Sequence, residues 1–178
     1  MKNLKGTKTE ENLWKAFAGE SQARNKYDFF AKEFKKAGYE QIAAIFQETA
    51  NNEKEHAKRE FKYIVKLGDL KSHLKAAIDG EHYEQTKTYP DFAKTAKKEG
   101  FKEIAKVFEE IAKAEIAHEK RFDKLLKRVK NKTVFKEKKA IEWKCANCGY
   151  VHKGKTPPKV CPACAHPKSY FERLAENY

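Results

Sequence analysis

Cysteine and proline are nearly missing from most of this 178-residue chain: residues 1–144 hold no cysteine and one proline, Pro90. That leaves a long stretch suited to uninterrupted helix. Long apolar runs are also missing. The longest is Ile42–Phe46, far short of the roughly 20 residues that cross a bilayer as a helix. The segment MKNLKGTKTEENLW has none of the apolar character of a secretory signal. The expected location is therefore the cytoplasm, where thiols stay reduced. Apolar side chains are not scarce. Hydrophobic residues make up 40%, with eight Tyr and twelve Phe, enough for a core and against wholesale disorder. The net charge of +13 admits nucleic-acid binding, but the plainer reading is a helix surface coated with lysine.

The last 34 residues reverse the pattern. They hold all four cysteines (Cys145, Cys148, Cys161 and Cys164) and four of the five prolines. Two domains are expected, a helical one over 1–138 and a small cysteine-bearing one over 139–178.

The helical part repeats itself. Residues 30–59 align without gaps to 92–121, with 15 of 30 positions identical, so the unit is a helix–turn–helix present twice. Gly38 and Gly100 mark the two turns. Four helices are expected, over Thr9–Lys36, Tyr39–Leu67, His73–Lys98 and Lys102–Lys130, followed by a basic linker over Asn131–Lys139. Thr7 and Glu10 have capping-box spacing. Each helix carries an apolar stripe, and four such stripes facing inward make a bundle.

Acidic residues interrupt those stripes. Glu20 lies between Phe17 and Tyr27, and Glu81 is its counterpart in the second repeat. Glu53-x-x-His56 and Glu115-x-x-His118 each place a carboxylate and an imidazole one turn apart on one face. Carboxylates directed into one core need compensating positive charge, and metal cations supply it. One Glu from each of two helices, with Glu-x-x-His from each of the other two, is the ligand set of carboxylate-bridged di-iron bundles. The repeat offset is 61 at Glu20/Glu81 but 62 at Tyr27/Tyr89. One extra residue inside a helix predicts a π-bulge near Glu84, which would offer one iron an additional carboxylate. Tyr27 and Tyr89 follow on the same face; they are expected as core aromatics whose hydroxyls reach a ligating carboxylate or a bound oxygen species. His73, His82, His152 and His166 are expected at the surface.

The tail pairs Cys145-Ala-Asn-Cys148 with Cys161-Pro-Ala-Cys164. This is the pattern of a four-thiolate metal site, and spacing alone leaves zinc and iron both open. Trp143, Tyr150, Tyr170 and Phe171 are expected to form its small core.

The segments AFAGESQARNKY and GEHYEQTKTYP, the two Glu-x-x-His helices and the CANCGY…CPAC tail resemble the rubrerythrin family over nearly the whole chain. The resemblance implies a ferritin-like di-iron four-helix bundle fused to a rubredoxin-like Fe(Cys)4 domain. It implies an oxidoreductase: a non-haem iron peroxidase that reduces hydrogen peroxide to water and protects against oxidative stress. Three irons are implied, two in the bundle and one in the thiolate site, with zinc able to substitute. Glu84, Tyr27 and Tyr89 are the expected catalytic residues, and one iron is expected to move between Glu84 when oxidised and His56 when reduced. Electrons would come from NAD(P)H through a donor protein such as rubredoxin or its reductase. The competing readings are a ferroxidase or iron-handling protein, and a basic zinc ribbon that binds nucleic acid; the latter gives no reason for inward carboxylates.

One departure from the family pattern is a short connection between the second and third helices. Returning the chain so that those helices run parallel requires about 28 Å at 1.5 Å per helical residue, whereas six extended steps reach about 20 Å. The expected consequence is a homodimer, with the two helix pairs exchanged between chains.

Overall fold

A computed structural model describes residues 3–65 and 67–176. The chain divides into two compact units, residues 1–68 and 69–178.

The first unit is an antiparallel helix pair, α1 (Lys8–Lys36) and α2 (Glu40–Ile64). Thr7 caps α1, its hydroxyl accepting from the Glu10 backbone N–H at 3.1 Å. The Glu10 carboxylate accepts from the N–H of Gly6 at 2.6 Å rather than from the cap residue, because the Thr7 N–H already donates to the Leu4 carbonyl. The turn after α1 closes with Gly38 at φ 84°. Its N–H reaches the Lys35 carbonyl and the Tyr39 N–H reaches Phe34, the paired bonds of a helix end that needs a left-handed residue. Small residues let the two helices approach closely: Ala31, Ala43, Ala50 and Ala57 are the buried ones. Phe46 packs against Tyr27 and stacks on Phe34, at 5.9 and 5.3 Å between ring centroids.

The second unit opens with α3 (Leu70–Tyr83), passes through a π-helical segment (Glu84–Thr88), and continues as α4 (Tyr89–Lys98). Helix α5 (Lys102–Lys130) folds back along them. The expected bulge is present and begins at Glu84. Pro90 sits in the first turn of α4, directly after the π segment. Gly100, at φ 89°, repeats the turn of the first unit. So does the aromatic packing, with Tyr89 and Phe92 on Phe108 at 6.2 and 5.6 Å.

Helix α2 is shorter than the sequence suggests, ending at Ile64 rather than Leu67, and Lys66 lies outside the described residues. Helix α3 begins three residues earlier than expected, because Asp69 caps it by accepting from the Lys71 N–H. The stripes also divide differently. Alanines and part of the aromatics are covered within each unit, while Ile42, Ile45, Ile104 and Leu125 stay exposed in the single chain. A second apolar face on a helix pair needs something further to cover it.

After α5 a basic linker leads into a three-stranded antiparallel sheet ordered β2-β1-β3, with β1 Ile141–Cys145, β2 Val151–Gly154 and β3 Phe171–Arg173. Its core is Trp143, Cys145, Cys161 and Phe171, with Ile141, Tyr150 and Cys164 packed against it. Tyr170 is not part of that core. It is 43% exposed and packs edge-on against His166 at 4.4 Å, so His166 too is half-buried rather than free at the surface. The fold class is mainly helical, with one small sheet at the C-terminus.

Candidate metal centres

Each helix unit gathers its own acidic group. On the first, Glu20 projects from α1 and Glu53 and His56 from α2. His56 Nδ1 lies 2.9 Å from Glu53 Oε2 and 3.8 Å from Glu20 Oε1. On the second, Glu81 projects from α3 and Glu115 and His118 from α5. His118 Nδ1 lies 2.5 Å from Glu115 Oε2 and 3.7 Å from Glu81 Oε2. Within each group the ligand atoms lie within 4.8 Å of one another. The two groups occupy matched repeat positions and share nearly the same internal geometry.

Their electrostatics call for a cation. Burial raises the Glu20 carboxyl above its ordinary range, and the negative charge of Glu53 raises it further. Burial likewise raises Glu81, assisted by a hydrogen bond with Glu115 and by its charge. Carboxylates that repel one another, beside an imidazole nitrogen, are the donors that iron accepts. The residues present fit the group implied by the sequence.

Glu84 stands apart from the three-residue cluster, although its charge acts on Glu81 and on Tyr89. Tyr89 is raised by burial first and then by Glu84, Glu115 and Glu81, which places its hydroxyl in the field of all three carboxylates. Tyr27 packs in the corresponding place of the first unit. Sequence reading overlooked Glu60. It follows His56 by four residues on α2, its Oε2 has no hydrogen-bond partner among the described residues, and its charge reaches Glu20. The i+4 spacing from His56 was the available signal.

The cysteine site is closed within the ribbon. Cys145 Sγ lies 3.7 Å from Cys164 Sγ, and Cys148 Sγ lies 3.7 Å from Cys161 Sγ. A disulfide would need about 2.05 Å. A tetrahedron with metal–sulfur bonds of about 2.3 Å has an edge of about 3.8 Å, so the thiols already stand at metal-binding separation. The backbone N–H of His166 brings Cys164 down to about 6, in keeping with a ready thiolate. At Cys148 the backbone N–H of Tyr150 acts in the same direction, but burial and hydrogen bonds from the neighbouring thiols outweigh it and push the group up to about 12. Binding a cation at the four sulfurs releases the thiol protons.

Comparison with known proteins agrees with the geometry. The rubrerythrin family matches residues 11–126, and the rubredoxin-like domain of rubrerythrin matches residues 143–172. Rubrerythrin-1 of Clostridium acetobutylicum is 53% identical, with all of both chains covered. The rubrerythrin of Porphyromonas gingivalis is 52% identical over 99% of this chain and 95% of its own. That of Nitratidesulfovibrio vulgaris is 49% identical over the whole of both. Among solved structures, mixed-valence nigerythrin aligns at 31% identity over 98% of this chain and 92% of its own, with a TM-score of 0.36. The sites to be filled are thus a Glu/His set and a rubredoxin-like four-cysteine set, in a family that binds iron. With two family domains in this order and half its residues shared with several members over full length, the chain belongs to the rubrerythrin family.

Proposed function

We propose that the chain is a peroxidase, converting hydrogen peroxide, two electrons and two protons into two waters. The observation that carries this reading is the coexistence of two matched Glu/His groups with a preset four-thiol site. Iron bound at these sites would supply the electrons. The protein supplies the ligands and the proton path. Glu20, Glu53, His56, Glu81, Glu115 and His118 would hold the di-iron centre, with Glu84 as the additional carboxylate, and Cys145, Cys148, Cys161 and Cys164 would hold the single iron. The π segment begins at Glu84 and shifts the register by one residue at Tyr89, whose N–H reaches the Glu84 carbonyl; the Glu84 carboxylate carries a proton toward the substrate oxygen. Tyr89, whose hydroxyl lies in the field of the carboxylate cluster, would hydrogen-bond a ligating carboxylate or a bound oxygen species, and Tyr27 would do the same in the first unit. An iron-handling protein has no use for a one-electron relay, which favours the peroxidase over the ferroxidase reading. The domains act as 1–138 and 139–178. No helix among the described residues is long and apolar enough to cross a membrane, in keeping with action in the cytoplasm. Reducing equivalents come from NAD(P)H through an electron-donor protein of the rubredoxin type.

The working form is a homodimer exchanging helix pairs. Helix α2 runs eight residues beyond His56, and α3 starts eleven before Glu81. Parallel packing around one centre requires a return of about 28 Å, and six steps from Ile64 to Leu70 reach about 20 Å. Exposed Ile42 and Ile45 on α2 have exposed counterparts, Ile104 and Val107, on α5. These equivalent apolar faces are fit to cover one another between two copies.

Anaerobic mixing of the reduced, iron-loaded protein with hydrogen peroxide tests the activity. The expected result is rapid oxidation with two waters formed per peroxide, and slow reaction with dioxygen. Faster reaction with dioxygen, with ferric iron accumulating in the protein, would favour iron handling.

A further inference from the structure

The net charge of +13 is concentrated at one end of the chain. Residues 127–178 hold thirteen Lys and Arg against four acidic residues, leaving only +4 for the first 126. Where α5 ends, the linker and the start of β1 enclose an open cleft of about 740 Å³ lined by basic side chains. The arginine in its lining, Arg128, is already engaged, as is the neighbouring Arg173. Glu137 Oε1 accepts from Arg128 Nη1 at 2.8 Å and from Arg173 Nε at 2.7 Å, while Arg173 also donates to the Thr133 and Val134 carbonyls. Lys127 pairs with Asp123. Lys132, Lys136, Lys138 and Lys139 remain without a carboxylate partner among the described residues.

The cleft is tied to the thiolate site. Arg173 lies over the Trp143 ring at 5.1 Å. Trp143 is wholly buried beside Cys145 and donates from Nε1 to the Gly154 carbonyl. The Glu137 N–H donates to the Lys155 carbonyl, joining linker to ribbon. From Ile141 at the cleft edge to Cys145 is one strand, about 13 Å. Cys148 is the ligand that reaches the surface.

We infer that this cleft is the docking surface for an acidic electron-carrier protein, which delivers electrons one at a time to the four-cysteine site. Oxidation of the carrier's ferrous iron balances each one-electron reduction in the chain. The inference rests on the peroxidase reading for its direction of electron flow. Several free lysines on flexible stems suit long-range steering of a carboxylate-rich face. Nucleic acid is the poorer fit: the arginines are engaged, and no aromatic ring lines the cleft for bases to stack on.

The test uses the full iron-loaded chain and an acidic rubredoxin. Titration calorimetry with the zinc-loaded carrier reads affinity, and stopped-flow reduction of the oxidised chain, without peroxide, reads delivery. The triple variant Lys136→Glu, Lys138→Glu, Lys139→Glu is set against a charge-matched control, Lys5→Glu, Lys26→Glu, Lys32→Glu. The cleft variant is expected to bind at least tenfold more weakly and to lose the salt dependence of the reduction rate; the control retains both. Equal losses in the two variants, or none in either, would overturn the inference. So would duplex DNA binding that the cleft variant abolishes while carrier binding stays intact. Peroxide turnover by electrode-reduced protein is measured in parallel. Its absence would defeat the peroxidase reading alone, whereas carrier binding indifferent to the cleft lysines would defeat the docking surface alone.

Discussion

The ribbon and the helix pairs solve the same problem, holding a cation, in opposite ways. In the ribbon the ligands belong to the core: Cys145 and Cys161 are buried with Trp143 and Phe171, and the sulfurs already stand near tetrahedral spacing. On the helix pairs the ligands lie at the edge of the core. His56 is 62% exposed and His118 is 41% exposed, and apolar residues beside them face outward. A site that carries its own core is complete within one short segment. A site borne on an open helix face is completed by whatever covers that face.

Breaking the ribbon should therefore have the largest effect. Trp143→Ala removes the largest wholly buried side chain, at a cost of about 3–5 kcal/mol, which a segment this small cannot absorb. Loss of the red iron–thiolate colour is expected, with helix content by circular dichroism unchanged. A ribbon that kept its colour would show that thiolate–metal bonds alone hold it.

Glu84→Gln comes next. It removes a proton carrier and the additional carboxylate while leaving the six residues of the two Glu/His groups in place, so turnover should fall about 10²-fold. Iron content read alongside is expected to stay near its starting value. Unchanged turnover would make the π segment a packing feature.

Ile45→Lys with Val107→Lys places charges on the two equivalent exposed faces. Sedimentation should show the dimer shifting to monomer, with the di-iron centre lost and the thiolate site retained. A persistent dimer would locate the interface elsewhere.

The smallest effect concerns Glu137. Arg173 and then Arg128 hold its carboxyl below the ordinary value of 4.5. A depressed folded-state value means the contribution to stability is present above 4.5 and is lost as pH falls through the lowered value. Glu137→Gln should leave ribbon stability lower than wild type at neutral pH, by an amount that shrinks on acidification. A constant difference down to about pH 2 would remove the charge from the account.

Much of this was legible because repeats and ligand spacings are local. The offset of 62, Gly38 and Gly100 pointed to two turns, and both glycines adopt positive φ. The slip from 62 to 61 located the π segment at Glu84. What was not legible depends on three-dimensional neighbours. Tyr170 reads like a core aromatic, yet it turns outward to His166. Ile42 and Ile45 lie on the apolar stripe of α2, yet they stay 39% and 56% exposed. The end of α2 at Ile64 has no glycine or proline immediately after it, so no local signal marked it. Seven residues for the di-iron centre, Glu84 among them, were visible as residue types; which chain supplies them is a matter of connection length.

That last point has a direct measurement. One variant loses Glu53 and His56 to alanine, and a second loses Glu115 and His118. Each alone is expected to be inactive. Refolded together, exchanged helix pairs should place both defects of a mixed dimer in one site and leave the other intact. With statistical pairing, about a quarter of wild-type di-iron content and peroxide turnover should return. No recovery in mixed dimers would contradict the exchange and return all the ligands of a centre to a single chain.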